Sequence, residues 1–519
     1  MTEAGEGFER LDRRLIVVTA VIVGAVAVVA GIPTAISLAA GGIQPLLSVA
    51  AVLGGAILMV AATSLAEYLR WRATRYRVTA DRFELHFQLI ITKRRSLARD
   101  RIRTVDVTAH PVQRIFGLAA VVIGTGQHAE SGDADITLDP VPRARAELLR
   151  TQLLDRAEDA ATAPRHDGAL ATLNWGWAAY APLSFVTPAL GAATIGAVLN
   201  VSGWFGWDEA DAAAFLGDFV RTAAVSGALT VAMAVLLTGA VGALLLFVEM
   251  WWGYRLGRES GGTLRVTRGL LTTRSISIEE RRLRGVEIVE PFGIRLARAA
   301  RLDAVATGMR QNSDGKRADQ KTLLPASPRK VVDRVAAAVL REDSSPIAAG
   351  SLVAHPKAAF GRRVRWALAP VIVAFAALLA LSALVGSGVD GFLDDAMGGM
   401  AAALPWVFAV VAVPGAVLLA RDAYRNLGHG ISGGYLLARR GALRRSTVAL
   451  QRSGVIGWSV RQSIFQRRAG LITLVATTAA GEGAYEVPDV AVAEGLTFAH
   501  DAVPDLLAPF LDPPRPPRA

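Results

Sequence analysis

Apolar stretches empty of charge alternate along this chain with polar blocks in which short runs of alternating character predominate. The stretches run over Leu15 to Leu38, Pro45 to Ala66, Trp175 to Asn200, Ala224 to Phe247, Trp366 to Val385 and Met400 to Ala420, and none contains Asp, Glu, Lys, Arg or His. About 20 apolar residues cross a bilayer core, and a charge at its centre costs about 2.5 to 3.5 kcal/mol on insertion scales. The pattern therefore predicts six membrane spans paired as three hairpins. Arg13 and Arg14 followed by an apolar run and Ala35-Ile36-Ser37-Leu38-Ala39 resemble a secretory signal, but signal cores run to roughly 7 to 15 residues, and this longer run reads as a span.

Arginines set the expected orientation. Arg10, Arg13 and Arg14 precede the first span, Arg70, Arg72 and Arg75 follow the second, Arg255 and Arg258 follow the fourth, and Arg362, Arg363 and Arg365 precede the fifth. Basic flanks stay on the cytoplasmic side, so both termini and all polar blocks are expected there. The connectors within hairpins are uncharged at Gly41 to Gln44 or acidic at Asp208, Glu209, Asp211, Asp390, Asp394 and Asp395. Tyr68, Trp71, Trp175, Trp177, Trp251, Trp252, Tyr254 and Trp366 fall at span ends, where amphipathic rings sit among headgroups. Glu67, Glu249 and Asp422 recur where each hairpin leaves the membrane, and nearby arginines suggest surface ion pairs.

The polar blocks share one order, strands first and a helix last. In the first, Tyr76 to Thr79, Arg82 to Phe87, Leu89 to Ile91, Ile102 to Val107, Ala119 to Ile123 and Ile136 to Leu138 read as strands, with a helix over Arg143 to Leu154. The second has Thr263 to Thr267, Ser275 to Ile278, Val286 to Val289, Ala304 to Ala306 and Leu323 to Pro325, then a helix near Val331 to Leu340. The third has Gly434 to Leu437, Ser446 to Leu450, Leu471 to Ala476 and Tyr485 to Pro488, then a helix beginning near Asp489. The unit of hairpin plus small β domain is thus an internal repeat. Arg95-Ser96, Arg274-Ser275 and Arg445-Ser446 open corresponding strands, Arg103-Thr104-Val105 matches Arg284-Gly285-Val286, and Pro140, Pro325 and Pro488 precede the last helices. Gln113-Arg114 and Gly117-Leu118 match Gln466-Arg467 and Gly470-Leu471; the second block lacks the Gln-Arg pair, and the third has Gly454-Val455-Ile456 in place of the basic strand around Arg103.

These residues and this order resemble the bacterial pleckstrin-homology (PH)-like domain of YdbS/YdbT-type membrane proteins, and three repeats with hairpins resemble the longer YdbT type. The resemblance implies a partly open β-barrel capped by a helix and an envelope-associated role, and it offers no catalytic residues. The expected fold class is an α-helical membrane protein with six spans in three hairpins and three cytoplasmic PH-like β-barrel domains, each capped by a C-terminal helix. Hairpins are assigned to residues 1–68, 170–252 and 362–421, PH-like domains to 69–160, 253–342 and 422–511, and a Pro-rich tail to 512–519.

Composition narrows the chemistry. The net charge of +11 sits largely beside spans, where topology accounts for it, and no nucleic-acid reader module is present, so no nucleic-acid partner is expected. Zero cysteines exclude disulfides, thiol nucleophiles and Cys-ligated zinc. His86, His110, His128, His166, His355, His429 and His500 show no metal-ligand spacing, so neither metal nor cofactor is expected. Gly124-Thr125-Gly126 leads to the turn signal Ser131-Gly132-Asp133 rather than the helix of a dinucleotide site, and Gly308 to Lys316 has the wrong spacing for a phosphate loop, with Arg317 where Ser or Thr belongs.

No nucleophile elbow or paired-acid constellation stands out, and an enzyme is not expected. The spans hold no ionisable carrier for ion-coupled transport. What remains is binding. Arg94, Arg95, Arg103, Arg274, Arg282, Arg284, Arg444 and Arg445 are candidates for headgroup or partner contact, because a cation near an anionic surface contributes about 1 kcal/mol. The expected function is a non-enzymatic multi-pass scaffold of the cell membrane, with anionic lipid headgroups, a membrane-protein partner or a homo-oligomer as its partners besides the bilayer. A transporter or channel component, told apart by flux through the spans, and a lipid-processing enzyme, told apart by turnover, are the alternatives. The Pro-rich segment Pro513 to Pro517 reads as disordered.

Overall fold

The computed structural model describes residues 8–79, 81–88, 92–99, 102, 104–124, 135–154, 168–202, 209–259, 262–307, 321–386 and 395–507. The chain divides into one unit ending at Arg282 and another beginning at Leu283.

The first unit opens with β1 (Glu9–Arg10) and the hairpin α1 (Arg14–Ala40) and α2 (Pro45–Ala73). Val and Ile dominate α1, residues that favour strands in water, yet hydrocarbon offers no partner for an exposed peptide group and a helix satisfies its own. The hydroxyls follow the same rule: Thr34, Thr63, Thr194 and Thr238 donate to the carbonyls of Ala30, Met59, Leu190 and Ala234 at 2.7 to 2.8 Å. The helix α2 runs directly into β2 (Thr74–Val78), followed by β3 (Arg82–Gln88), β4 (Thr92–Ala98), β5 (Thr104–Ala109), α3 (Pro111–Ile115), β6 (Leu118–Gly124), β7 (Asp135–Pro142), α4 (Arg143–Leu154) and β8 (Ala169–Thr172). The second hairpin has α5 (Val186–Ser202) and α6 (Glu209–Trp251), and β9 (Arg255–Glu259), β10 (Thr263–Arg268) and β11 (Thr273–Glu279) complete the unit.

Among the described residues five helices are long and apolar enough to cross a membrane, or six spans if one bent pair counts as a span. The bent pair corrects the third predicted span. Trp175 to Leu183 is a 3-10 helix, and the chain turns by 74° before the α-helix that starts at Val186. Proline explains the break: Pro182 has no N–H to donate, and Pro188 fits only in the first turn of a helix because its ring clashes with the carbonyl four residues earlier. At 17 residues α5 reaches roughly 26 Å, short of the bilayer core by itself. Its contact with α6 is made by glycines, and the aromatic rings at the hairpin mouth pack together, Trp175 on Trp252 at 5.3 Å and Trp251 on Tyr254 at 5.4 Å.

The sheets depart from the expectation of one barrel per block. In this unit they are a four-stranded sheet ordered β1-β2-β3-β4 and a seven-stranded sheet ordered β7-β6-β5-β11-β10-β9-β8. The two sheets and α4 enclose the core of the first block, with Tyr76, Phe83, Ile102, Val105, Val121, Leu138 and Leu149 at most 2 % exposed. The barrel stays open because β5 satisfies its outer edge with β11 of the next block rather than with β4 of its own.

The second unit repeats the arrangement. Its elements are β12 (Leu283–Pro291), α7 (Phe292–Leu296), β13 (Ala299–Ala306), β14 (Thr322–Pro328), α8 (Arg329–Leu340), α9 (Pro346–Ala349), the hairpin α10 (Lys357–Gly386) and α11 (Asp395–Arg425), then β15 (Gly428–Ser432), β16 (Tyr435–Arg440), β17 (Arg444–Gln451), β18 (Val455–Arg461), α12 (Ile464–Arg468), β19 (Leu471–Thr478), β20 (Ala484–Ala491), α13 (Val492–Ala502) and α14 (Pro504–Leu507). They form a six-stranded sheet, β14-β13-β12-β17-β16-β15, and a three-stranded sheet, β18-β19-β20. Here β12 pairs with β17 as β5 does with β11. The core of the third block gathers Leu436, Leu450, Leu474, Val490 and Phe498, with Val305 from β13. The expected helix near Asp489 begins at Val492, and Asp489 lies in β20 with a positive φ of 63°. Leu89 to Ile91, Arg103, the turn after Gly124, Gly308 to Lys316 and the Pro-rich tail lie outside the described residues.

A buried polar cluster ties the third hairpin to its block. Asp489, fully buried, accepts from Arg362 at 2.6 Å, from Arg363 at 3.0 Å and from Gln466 at 2.9 Å. The His355 ring lies 3.2 Å from the Asp489 carbonyl and 3.1 Å from the His429 ring, whose other nitrogen is 3.8 Å from Glu494. Burial, then the neighbouring His355, pushes His429 down from 6.5 to about 4. The unfolded chain thus takes up a proton that the folded one refuses, so stability falls as pH drops from 6.5 toward 4. The loss is about 3 kcal/mol for this one group. The protection of β15 amides, measured relative to the intrinsic exchange rate at each pH, should fall from pH 7 through 5.5 to 4.5, and His429→Gln should flatten that fall; an unaltered profile in that variant refutes the assignment.

Candidate functional site

Each sheet junction builds a local site from a turn, a short helix and the start of a long helix. The turns between β10 and β11 and between β16 and β17 are pinned by Gly269 and Gly441, whose φ values are 113° and 110°. A Cβ on either would lie 1.9 or 2.0 Å from the carbonyl oxygen three residues on, so the two glycines are structurally equivalent and both turns demand glycine. On that alignment Thr273 corresponds to Arg445, and Arg274 to Ser446. The pairing registers agree: Thr273 faces Ala109, Arg274 faces Thr108 and Ile278 faces Thr104, while Arg445 faces Glu290, Ser446 faces Val289 and Leu450 faces Gly285. The recurring Arg-Ser pairs of the sequence are therefore one position out of step between these two blocks, and Ala109 of the first junction stands where Glu290 stands in the second.

In the second junction the carboxylate is held tightly. Glu290 accepts twice from Arg445 at 2.8 Å and from Arg329 at 3.1 Å, and it is 4 % exposed. Burial by itself would raise its pKa; the bonds and charges of Arg445 and Arg329 overcome that and hold it below the ordinary carboxylate value. Arg295 completes the corner, bonding Asp422 at the end of α11 at 2.7 Å.

The first junction keeps counterparts of Arg329 and Arg295 but has neither that carboxylate nor Arg445, whose place Thr273 takes. Arg143 begins α4 as Arg329 begins α8, each donating its backbone N–H to a positive-φ residue's carbonyl, Gly117 or Arg298. Arg114 donates to the Leu270 carbonyl at 2.6 Å as Arg295 does to Ala442 at 3.5 Å. Between them lies a cavity of about 240 Å³ lined by Arg114, Arg143, Arg265, Arg268, Arg274 and Glu147, with Ala109 also in its lining. Trp252 and Gly253, the first residues past α6, also line it. Glu147 is shared, bonding Arg265 at 2.9 Å and Arg150 at 3.1 Å, and Arg268 stacks on Trp251 at 4.3 Å. The result is an arginine-rich pocket beside the end of α6.

Of the arginines singled out by sequence, Arg274 lines this cavity. Arg94 and Arg95 lie on β4, and Arg103 lies outside the described residues. Arg282 is bound to Glu279 at 2.9 Å and to the Ile102 carbonyl at 2.8 Å, Arg284 lies half-buried against Gly454, Arg444 is exposed opposite Pro291, and Arg445 holds Glu290. The acids at the hairpin exits differ in role: Glu67 pairs with Arg70 at 3.5 Å, Glu249 accepts from the N–H groups of Leu271 and Thr272 at 2.9 and 3.0 Å, and Asp422 takes Arg295. Sequence reasoning did not single out Arg143, Arg265 and Arg268; the one readable signal was Arg114, within a Gln-Arg pair whose arginine persists in block two as Arg295. Among the described residues no cluster of three His, Cys, Asp or Glu could hold a metal ion.

Long apolar hairpins that lead directly into antiparallel sheets, each with a helix after its last strand, define a multi-pass membrane protein with PH-type extramembrane domains. The bacterial PH domain profile matches residues 14–157 and 371–500, more than half of the chain, and the chain belongs to that family. It is also similar to the UPF0699 transmembrane protein YdbT of Bacillus subtilis (strain 168), with 30% identity over 97 residues, 18% of this chain and 20% of that protein. The match thus spans about a fifth of the relative's length. No solved structure matches.

Proposed function

We propose that this chain is a membrane scaffold that works by binding rather than turnover, with its PH-type domains on the cytoplasmic face and its first sheet junction taking an anionic lipid headgroup. One observation carries the reading: the place that Glu290 fills in the second junction is left by Ala109 as an arginine-lined cavity next to the exit of α6. A phosphate group there replaces the missing carboxylate, and the bilayer supplies it at the right depth. Partner proteins would meet the same domains from the cytoplasmic side.

The test uses the full-length protein in nanodiscs of phosphatidylcholine with a minor share of fluorescent phosphatidylglycerol. Energy transfer from the span-end tryptophans should report enrichment of the anionic lipid. Arg143→Ala should lower that enrichment roughly fivefold, as expected for about 1 kcal/mol per cation. Ala109→Glu, which installs the carboxylate of the second junction, should lower it further. Enrichment unchanged in both variants defeats the proposal.

A further inference from the structure

The two internal junctions leave one edge over at each end of the series. The strand β11 pairs outward with β5 of the preceding block, and β17 with β12, but among the described residues their counterpart β4 has β3 as its single neighbour in a sheet. At the other end β18, counterpart of β5 and β12, pairs with β19 alone among the described residues. The equivalence rests on buried positions: Phe83, Leu264 and Leu436 are at most 1 % exposed and face Leu97, Ile278 and Leu450 across their hairpins.

Exposure marks these two edges as incomplete. Val107 and Ile288, three residues before α3 and α7 cap, are 7 % and 0 % exposed, whereas Val460, three before the α12 cap Ser463, is 48 % exposed. Ser275 and Thr447 are buried at 7 % and 2 %, and Arg94 in the same place on β4 is exposed.

We infer that copies of this chain join head to tail, β18 of one copy pairing antiparallel with β4 of the next. The occupant is a second copy because the junction has been built twice already within one chain, with the same register both times. Carrying that register over sets Leu97 opposite Gly457 and Arg94 opposite Val460. Both strands are seven residues long, and this register pairs six residues of each, 93 to 98 against 461 to 456. The register also sets residue 93 opposite Arg461, whose guanidinium lies 3.4 Å from Glu486. Such a contact joins two different surfaces, so it generates a ring or an open row in the membrane plane rather than a two-fold dimer.

The chain has no cysteine, so introduced thiols report on this contact alone. Arg94→Cys and Val460→Cys chains, carrying different tags, are co-expressed and oxidised mildly in native membranes. A disulfide-linked dimer bearing both tags is expected. Replacing Val460→Cys with Ile456→Cys, four residues or roughly 13 Å along the strand, should cut its yield at least fivefold. Absence of the mixed dimer, equal yield at position 456, or a doubly substituted chain that links only within itself overturns the inference. A tail or a different protein covering the edge gives the first of these results. Both substituted side chains are exposed, so folding is preserved; hydrogen exchange of β19, expected unchanged, verifies it.

Discussion

Glu290→Ala should loosen the second sheet junction by about 3 kcal/mol, read as roughly hundredfold faster amide exchange along β12 and β17. The carboxylate is buried and bonded to two arginines, and removing one member of a buried ion pair strands the charges that remain. The lower end of the usual 3 to 5 kcal/mol applies because Arg445 and Arg329 keep 24% and 29% of their side-chain surface. The sign with pH follows from the depressed pKa: the contribution is complete above the ordinary carboxylate range and disappears as pH falls through the folded value. Acid should therefore lower the protection of the parent protein, relative to intrinsic exchange at the same pH, toward that of the variant. Equal exchange of parent and variant at neutral pH would contradict the assignment.

Gly239→Leu should prevent the second hairpin from packing. A Cβ at residue 239 lies 2.1 Å from the Thr187 carbonyl oxygen, and one at Gly191 lies 1.8 Å from that of Val235. Both obstacles are backbone, so no rotamer change relieves them and the helices must separate. Overpacking of this kind costs about 1 to 3 kcal/mol where side chains can shift, and this site is at or beyond the upper end. Limited proteolysis in membranes should show cleavage around Trp175 and Trp252 in the variant. Gly242→Ala is the control: its Cβ would meet Leu190 side-chain atoms at 3.6 Å, an ordinary contact, and the hairpin should stay intact. Proteolysis of Gly239→Leu no faster than that control counts against a glycine-mediated crossing.

The spans were legible because hydrocarbon imposes a blunt rule, and most strands were legible from their alternation. The helix over Arg143 to Leu154 agrees with the reading residue for residue. The third span was not, since composition sees the apolar run but not the effect of Pro182 and Pro188 on direction. The strand β18 was passed over because Gly454, Gly457 and Ser459 interrupt its pattern. The cavity was hidden for a different reason. Ala109 carries no chemical signal, and its meaning emerges once pairing register places it where Glu290 belongs. The mixed order of the sheets was equally hidden, because alternation tells which residues form strands and is silent about which edges meet.

The shared sheets also bear on how this chain can be taken apart. A cut between hairpin-plus-block repeats, the natural choice from sequence, would pass through the seven-stranded sheet and strip β5 of β11. Excised blocks should then aggregate or swap strands, although each carries most of a hydrophobic core. The chain divides instead between Arg282 and Leu283, after the third strand that follows the second hairpin and before the fourth. Repeat units in the gene and building units in the fold are offset by half a domain, and truncation series should be designed on the latter.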